Sequence, residues 1–336
     1  MSVFSHPEVI QQITQAFVPV AENCRHLRNQ QDAKGEFFRS IAEQGYRVGQ
    51  GLSPTTWQGS YLCTAAGELL ASGNPSDAHQ ALALIQRASE HRSRRANQST
   101  RPIIPESYEP DPEYEWAYPE NGLILKGYVR DLPRESGESD LRKWNLDYVW
   151  FTQKEAASLV KEAAEIGQGY PIPQPLILRL VRFHFLDTVR GESLRWRSEH
   201  VKRAEIFLTL EERKGEQVKL RLEGSVRNEA PPSFELNPYN GKIVDMGRGI
   251  DLRLLGYLTY QKERQAFTRF DIIAVGLRWG ATAYNDRFGD LGPAPIGFAF
   301  ELAGTTLLEQ TPPHAIRFDY WKPFSAGSCF DGGRTP

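Results

Sequence analysis

The chain has 336 residues, 40% of them hydrophobic and 24% charged, so it is long enough to bury the cores of two domains. Its formal net charge of −2 argues against general affinity for nucleic acid, since such affinity needs an excess of Lys and Arg. The N-terminus does not resemble a secretory signal, and no window reaches the ~18 apolar residues of a transmembrane helix. The three cysteines are widely spaced and do not make a disulfide framework. From these features we expect a cytoplasmic protein.

Residues 1–90 alternate helical and extended patterns. Apolar residues recur at helical spacing in three segments, and a stretch between turn signals predicts a hairpin with Gly67 at a positive φ. In chain order the predicted elements are a helix that begins at Ser5, a short strand at 17–20, a helix at 34–44, a hairpin with arms 60–64 and 68–72, and a helix at 77–90 capped by Ser76. This order indicates a small α/β module.

The order of these elements resembles the thioredoxin-like fold. The stretch HPEVIQQITQAFVPV, residues 6–20, is similar to the first helix and second strand of that fold, and YLCTAAGELLASGNPSDAHQALALIQRA, residues 61–88, to its terminal hairpin and last helix. The redox motif of the family is absent, because the chain has no Cys-x-x-Cys, and Trp57-Gln58-Gly59 stands where the family usually has a cis-proline. The resemblance therefore implies a truncated thioredoxin-like module without redox activity.

Residues 91–122 differ in composition from the segments around them. They carry five prolines, many charges and few aliphatic side chains, which predicts a linker or a strap lying over a domain surface. The sheet of a truncated module would expose a central strand, so we expect residues 100–125 or a second copy of the chain to complete it, and a homodimer is a predicted state. Residues 325–336, which contain Cys329, predict a disordered tail.

Residues 123–324 predict a β-rich domain. Thr152 and Glu155 have the spacing of a capping box and predict a helix at 153–166, after which the apolar period changes from helical to alternating. The predicted strands are 176–187, a hairpin with arms 204–212 and 217–225, a hairpin with arms 251–260 and 266–276, and a last strand at 295–303. Five or six antiparallel strands imply a β-meander or a small barrel with the helix at one end, so the expected fold class is α+β.

Three stretches of this domain resemble a group of uncharacterised bacterial proteins of planctomycete type. The stretches are RFHFLDTVRGESLRW, DLRLLGYLTY and FTRFDIIAVGLRWGATAYNDRFGDLGPAPIGFAFELA. In that group a thioredoxin-like segment precedes a β-rich region. The resemblance implies the same architecture over most of this chain, and it supplies no activity.

The predicted strand 176–187 carries the first candidate catalytic residues. Arg182 and His184 would project from one face of that strand and Asp187 from the other, and a histidine near neutral pH can serve as a general base. His200 could join the same site, and Arg182 could bind a ligand. The alternative is that His184 is exposed or makes a structural hydrogen bond.

The glycine-rich loop 279–292 is the strongest candidate for a binding loop, because it places aromatic and Asx residues at the end of a strand. Asp286 and Asp290 carry hard oxygen ligands that could hold Ca²⁺, the one cofactor that the sequence suggests. The alternative is an Asx-rich turn with packed aromatic side chains. The candidate ligand-binding residues of this loop are Trp279, Tyr284 and Asn285.

Cys24 is followed by Arg25 and His26, whose charges would favour a reactive thiolate. The alternative is a semi-buried cysteine beside the charges of a loop. Several well-known catalytic motifs are absent from the chain, among them Gly-x-Ser-x-Gly, His-Glu-x-x-His and the Walker A loop. Their absence weighs against the common α/β-hydrolases, zinc hydrolases and nucleotide hydrolases.

Three functions remain open from the sequence. The first is a non-redox thioredoxin-like module joined to a β-rich domain that binds a small molecule or a protein. The second is a hydrolase of small esters or lactones, with or without Ca²⁺, whose site draws on His184, His200, Asp286 and Asp290. The third is a thiol-dependent enzyme that uses Cys24. Whether the protein is an enzyme stays open, and a hydrolase is favoured over an oxidoreductase if it is one.

Overall fold

A computed structural model of the protein describes residues 3–45, 57–94, 109, 118–134, 143–235, 243–317 and 320. The chain divides into two compact units, Met1–Ala117 and Tyr118–Pro336. The division falls inside the predicted linker of residues 91–122. Residues 95–108 and 110–117 of that linker and the predicted tail with Cys329 lie outside the described residues.

Within the part of the first unit that the structure describes, the main elements are four α-helices and one hairpin. In chain order they are α1 (Pro7–Ala16), α2 (Cys24–Asn29), α3 (Ala33–Glu43), β1 (Ser60–Cys63), β2 (Leu69–Gly73) and α4 (Ala78–Arg94). Helices α1 and α4 share a small apolar core of Val9, Ala81 and Ile85. The predicted hairpin is confirmed, with Gly67 at a φ of +77°, where a residue without Cβ is favoured.

Two local predictions for this unit are wrong. Residues 17–20 do not form a strand, because Pro19 has no N–H for a ladder and Val18 and Val20 are exposed. The last helix is capped by Asp77, whose Oδ1 accepts from the backbone N–H of Gln80 at 2.8 Å, rather than by Ser76. Within the described residues the unit has a two-stranded sheet, so the resemblance to the thioredoxin-like fold stays a prediction.

The second unit is built on one large antiparallel sheet. Its elements are β3 (Leu123–Asp131), β4 (Trp144–Phe151), α5 (Gln153–Ala157), β5 (Gly169–Pro171), α6 (Gln174–Phe183), β6 (Val201–Lys214), β7 (Gln217–Ala230), β8 (Ser233–Glu235), β9 (Ile243–Asp245), β10 (Arg248–Gln261), β11 (Ala266–Trp279) and β12 (Ala294–Leu302). Eight strands pair in the order β4-β3-β12-β11-β10-β7-β6-β5, and β8 pairs with β9 in a separate two-stranded sheet.

The order of the strands confirms part of the predicted meander. Strands β6, β7, β10, β11 and β12 follow one another in the sheet as they do in the chain, and both predicted hairpins are present. Strands β3 and β4 extend the sheet beyond β12, and in the described residues β4 and β5 each have one neighbour. Among the described residues the sheet is therefore open, which favours the meander over the small barrel that the sequence left as the alternative.

The segment predicted as strand 176–187 is the helix α6, which corrects the sequence-based assignment. Its buried apolar residues Leu176, Ile177, Leu180 and Val181 recur at helical spacing, and they belong to the same hydrophobic cluster as the buried faces of the strands. The predicted helix at 153–166 begins with the expected capping box of Thr152 and Glu155 but ends at Ala157 as α5. None of the helices within the described ranges combines the length and the apolar character needed to cross a bilayer.

Candidate functional site

A cavity of about 250 Å³ lies between strands β3, β4 and β12 and the chain that follows α6. Strand β12 contributes Phe298 and Phe300, which share the buried face of the sheet because alternate residues of a strand point the same way. Helix α6 ends against the cavity with Phe183. The apolar lining includes Val129, Phe183, Leu186, Phe298 and Phe300, and the polar lining includes Asn145, Asp147, His184, Glu192 and His314.

His184 is the C-cap residue of α6, and its backbone N–H donates to the carbonyl of Leu180. Its side chain is 1% exposed. Atom Nε2 lies 2.9 Å from the hydroxyl of Tyr320, and atom Nδ1 lies 3.4 Å from Oδ2 of Asp147. Nδ1 has no hydrogen-bond partner among the described residues. One of the lining residues therefore carries a buried polar atom whose bonding capacity is unused.

Tyr320 fixes the imidazole of His184 from the side of Nε2. Its hydroxyl accepts from the backbone N–H of Trp150 at 3.0 Å and lies 3.3 Å from the carbonyl of the same residue. Burial raises the pKa of Tyr320 far above its usual range, so the phenol stays neutral. Arg179 donates to the backbone carbonyl of Tyr320 at 3.1 Å. These contacts keep the phenol and the imidazole in one arrangement.

Asp147 presents one carboxylate oxygen to the backbone and the other to His184. Its Oδ1 accepts from the backbone N–H groups of Tyr148 at 2.8 Å and His314 at 2.9 Å. Its Oδ2 is the atom that faces Nδ1 of His184. A second, more exposed pair lies at the rim, where Nε2 of His314 is 3.7 Å from Oε1 of Glu192. The cavity therefore combines an apolar wall with two carboxylates and two imidazoles.

Asp187, predicted to act with His184, belongs to a different group of side chains. Its two carboxylate oxygens each accept a hydrogen bond from Arg287 at 2.8 Å. The guanidinium of Arg287 is fully buried and also donates to both oxygens of Asp131, at 2.9 and 2.7 Å. Asp187 is thus occupied in an ion-pair network and is not among the residues that line the cavity.

Asp290, a predicted calcium ligand, is held by arginines in the same network. Burial alone would raise the pKa of Asp290, but the hydrogen bond from Arg134 and the charges of Arg278 and Arg190 hold that pKa well below its usual range. The bond from Arg134 spans 2.6 Å, and Arg287 is also in contact. Guanidinium groups at these positions compete with a metal ion for the carboxylate.

Asp286, the other predicted calcium ligand, is exposed and has a φ of +51°. Within the described residues no cluster of three or more His, Cys, Asp or Glu side chains is placed to hold a metal ion. The geometry around Asp290 is that of an ion-pair network at the end of β11, Asp286 is not a member of that network among the described residues, and the suggestion of Ca²⁺ gains no support from either.

The remaining candidates of loop 279–292 have structural contacts. Oδ1 of Asn285 accepts from the backbone N–H of Thr282 at 2.9 Å, which is the Asx turn that the sequence offered as the alternative. Trp279 packs against the guanidinium of Arg227, 5.5 Å from its ring centre. Tyr284 is exposed. None of the three lines the cavity.

Arg182, His200 and Cys24 are also separate from the cavity lining. Arg182 is buried and its Nε donates to the carbonyl of Trp196 at 2.9 Å. His200 accepts from the backbone N–H of Arg197 through Nδ1 at 3.2 Å, and burial lowers the pKa of His200. Cys24 begins α2 in the first unit. Of the predicted catalytic residues, the cavity contains His184 alone.

The partners of His184 were not predictable from the sequence. Asp147 is a polar residue within the strand β4, and the sequence of that strand contains no signal that pairs it with a histidine on another element. Tyr320 lies 136 positions from His184 in the chain. The signal that could have drawn attention to Asp147 is a carboxylate inside a segment rich in aromatic and β-branched residues.

Comparison with known proteins identifies no relative, since no protein-family model, curated protein or solved structure matches the chain. The resemblances to the thioredoxin-like fold and to the planctomycete-type proteins therefore stay predictions. The function has to be argued from the geometry of the cavity.

Proposed function

We propose that the second unit binds a small molecule and that the cavity beside His184 is its binding site. The observation that carries this proposal is an apolar cavity whose lining residues Asp147 and His184 each keep one polar atom, Oδ2 and Nδ1, without a hydrogen bond from the described residues. A buried polar atom without a partner costs about 1–3 kcal/mol, and a ligand that supplies a missing bond at Oδ2 recovers free energy. Pockets that combine apolar walls with a few fixed polar groups are the usual form of a ligand site.

The same geometry favours binding over hydrolysis. A histidine that acts as a general base needs a ring nitrogen within reach of the substrate proton. Nε2 of His184 is occupied by Tyr320, which leaves Nδ1, beside the carboxylate of Asp147, as the one ring nitrogen without a hydrogen bond among the described residues. The case against hydrolysis is therefore the nucleophile, because the described residues that line the cavity include no serine and no cysteine. The hydrolase remains the second proposal and the thiol enzyme with Cys24 the third.

The first unit is proposed to be a non-redox module that accompanies the binding unit. The absence of Cys-x-x-Cys from the sequence supports this, because the dithiol is what such modules use for exchange. Of its two cysteines, Cys63 has a pKa raised by burial, which keeps the thiol protonated and unreactive.

The test is a thermal-shift screen of small organic molecules with the whole protein and two variants. Thr188→Trp places a large side chain at the cavity, and Thr268→Trp, exposed on β11, is the matched control. A ligand present at about 100 times its Kd should stabilise the protein by about 2.7 kcal/mol. We expect compounds that raise the Tm of the wild type and of Thr268→Trp but not of Thr188→Trp. Equal shifts in all three proteins would place binding elsewhere.

A further inference from the structure

We infer that the ligand of this cavity is a small organic cation, an ammonium group joined to an apolar body the size of one ring. This inference rests on the proposed binding function and names the chemical class of the ligand. It follows from three features of the cavity: the charges that line it, the hydrogen bonds that its polar atoms lack, and its aromatic wall.

The charges favour a cation. The titratable side chains that line the cavity are Asp147, Glu192, His184, His314 and Tyr128, and no Lys or Arg is among the described lining residues. Arg190, next in the chain to the lining residue Gly191, is engaged with Asp131 at 3.0 Å and with Asp290 at 3.1 Å. Carboxylates in the lining attract a positive ligand and repel a negative one.

The hydrogen bonds of Tyr320 determine which atom His184 presents. The backbone N–H of Trp150 donates to the hydroxyl of Tyr320, and that hydroxyl can donate to the carbonyl of Trp150. In this arrangement Nε2 of His184 carries the proton and donates to Tyr320, which we assign as the tautomer. Nδ1 is then an acceptor, 3.4 Å from the acceptor Oδ2 of Asp147.

Two acceptors at this distance repel each other unless a donor lies between them. Oδ2 of Asp147 receives no hydrogen bond from the described residues, because the two backbone donors go to Oδ1. An ammonium group carries a positive charge and N–H donors, so it can satisfy Oδ2 of the part-exposed Asp147 and offset the repulsion between that oxygen and Nδ1 of His184. A hydroxyl offers a donor without the charge, and a carboxylate offers neither.

The apolar wall accounts for the rest of the ligand. Phe183, Phe298 and Phe300 line the cavity, and the last two pack edge-on against Phe185 at centroid distances of 5.3 and 5.7 Å. These contacts leave a fixed apolar surface for a hydrocarbon group, and aromatic rings also tolerate a nearby cation. A ring with a one-carbon amine fits a cavity of about 250 Å³.

The experiment measures the Kd of three probes of equal ring size by titration calorimetry. Benzylamine is the cation, benzyl alcohol the neutral molecule and benzoate the anion. For the whole protein at low ionic strength we expect benzylamine to bind at least tenfold more tightly than benzyl alcohol, and benzoate to bind most weakly. Added salt should weaken benzylamine binding and leave benzyl alcohol unchanged, because only the former depends on charge.

Asp147→Asn tests the named carboxylate. Asparagine keeps an oxygen that can accept from the two backbone donors, so these hydrogen bonds are retained while the charge is removed. We expect this variant to lose at least tenfold in affinity for benzylamine and little for benzyl alcohol. Glu192→Gln, at the rim, should lose severalfold in the same direction and serves if the first variant does not fold. Asp271→Asn, an exposed pair with Arg269, should bind all three probes as the wild type does.

The outcomes separate this inference from the proposed function. The inference of a cationic ligand is overturned if benzyl alcohol or benzoate binds the wild type as tightly as benzylamine. It is also overturned if Asp147→Asn and Glu192→Gln keep the preference for the amine. In both cases the proposed binding site is unaffected. The inference of a cationic ligand is likewise overturned if benzylamine does not bind while the screen finds non-cationic ligands whose binding is abolished by Thr188→Trp. If neither the probes nor the screen shows binding to the cavity, the proposed function falls and the inference falls with it.

Discussion

Arg287 lies at the centre of the buried ion-pair network and is itself fully buried. Burial alone would lower the pKa of Arg287, but its hydrogen bonds to Asp131 and Asp187 raise that pKa above its ordinary value, so the guanidinium stays charged. Taking these charges out of water is costly, and the cost is offset only while every partner is present. The network therefore makes the end of β3 and the loop after β11 sensitive to the loss of one member.

Replacing Arg287 by methionine should destabilise the protein strongly. The substitution leaves the carboxylates of Asp131 and Asp187 buried without their shared partner, and removing one member of a buried pair costs about 3–5 kcal/mol. Urea denaturation of the wild type and the variant measures the difference in the free energy of unfolding.

Arg269→Met is the matched control for this substitution. Arg269 pairs with Asp271 at 2.6 Å, but both side chains are more than half exposed. An exposed pair of this kind contributes about 1 kcal/mol or less. Similar small losses for Arg287→Met and Arg269→Met would show that the buried network does not stabilise the fold.

At this scale the sequence predicted the importance of particular residues better than their roles. Asp187 and Asp290 are central to the structure as partners of arginines, and neither lines the cavity. The partner of Asp187, Arg287, lies 100 positions away in the chain, and spacing along the chain carries no information on such a pair. His184 does line the cavity, on a helix end rather than on the predicted strand.

Among the secondary-structure elements, α6 shows why a buried helix is hard to recognise from sequence. From Leu176 to Phe183 nearly every residue is buried, including Arg179 and Arg182. These arginines are buried because Arg179 pairs with Glu155 and Arg182 donates to a backbone carbonyl. A short apolar run fits a buried strand and a buried helix alike, so this segment is easily read as a strand although its apolar residues recur at helical spacing.

Glu155 joins the start of α5 to α6 through two kinds of contact. It completes the capping box by accepting from the backbone N–H of Thr152 at 2.9 Å, and it binds the guanidinium of Arg179 at 2.7 and 2.9 Å. The capping box was predictable because its residues are three positions apart, and the contact with Arg179 was not.

We expect Glu155→Gln to cost more than Thr152→Ala. Loss of the Thr152 cap should cost about 1 kcal/mol, which is typical of a helix N-cap. Loss of the carboxylate also removes the charged partner of the buried Arg179 and should cost about 1.5–3 kcal/mol. Chemical denaturation of both variants measures these values. A larger loss for Thr152→Ala would mean that the cap, rather than the ion pair, holds α5 in place.

For the molecule as a whole, the large hydrophobic cluster lies entirely within the second unit. Its members come from the strands of the eight-stranded sheet, from α5 and α6 and from the segments between them, and none comes from the first unit. A unit with a core of its own is expected to fold without the rest of the chain.

A chain of residues 118–336 should therefore fold alone. We expect a far-ultraviolet circular dichroism spectrum rich in β-structure and a single cooperative thermal transition. The same chain with Leu208→Asp, a charge placed in the core, is the control that should fail to fold. A non-cooperative transition for residues 118–336 would show that the second unit depends on the first.

The sequence also predicted the parts of the sheet in which the paired strands are neighbours along the chain. Two hairpins and the order of the five strands from β6 to β12 follow from alternating patterns separated by turns, and these predictions are confirmed. The place of β3 and β4 could not be predicted, because it depends on a pairing between the first and last strands of the unit. The thioredoxin-like character of the first unit stays a prediction.

The pairing of β3 with β12 has a consequence for synthesis on the ribosome. The register places Leu125 opposite Leu302, so β3 emerges early and its partner strand emerges only when nearly all of the unit has been made. At about 5–20 residues per second the delay is on the order of ten seconds. During that time one edge of an apolar strand has no partner, which is the condition under which nascent chains aggregate or recruit chaperones. A cell that makes this protein must keep that strand from pairing with other chains until translation reaches β12.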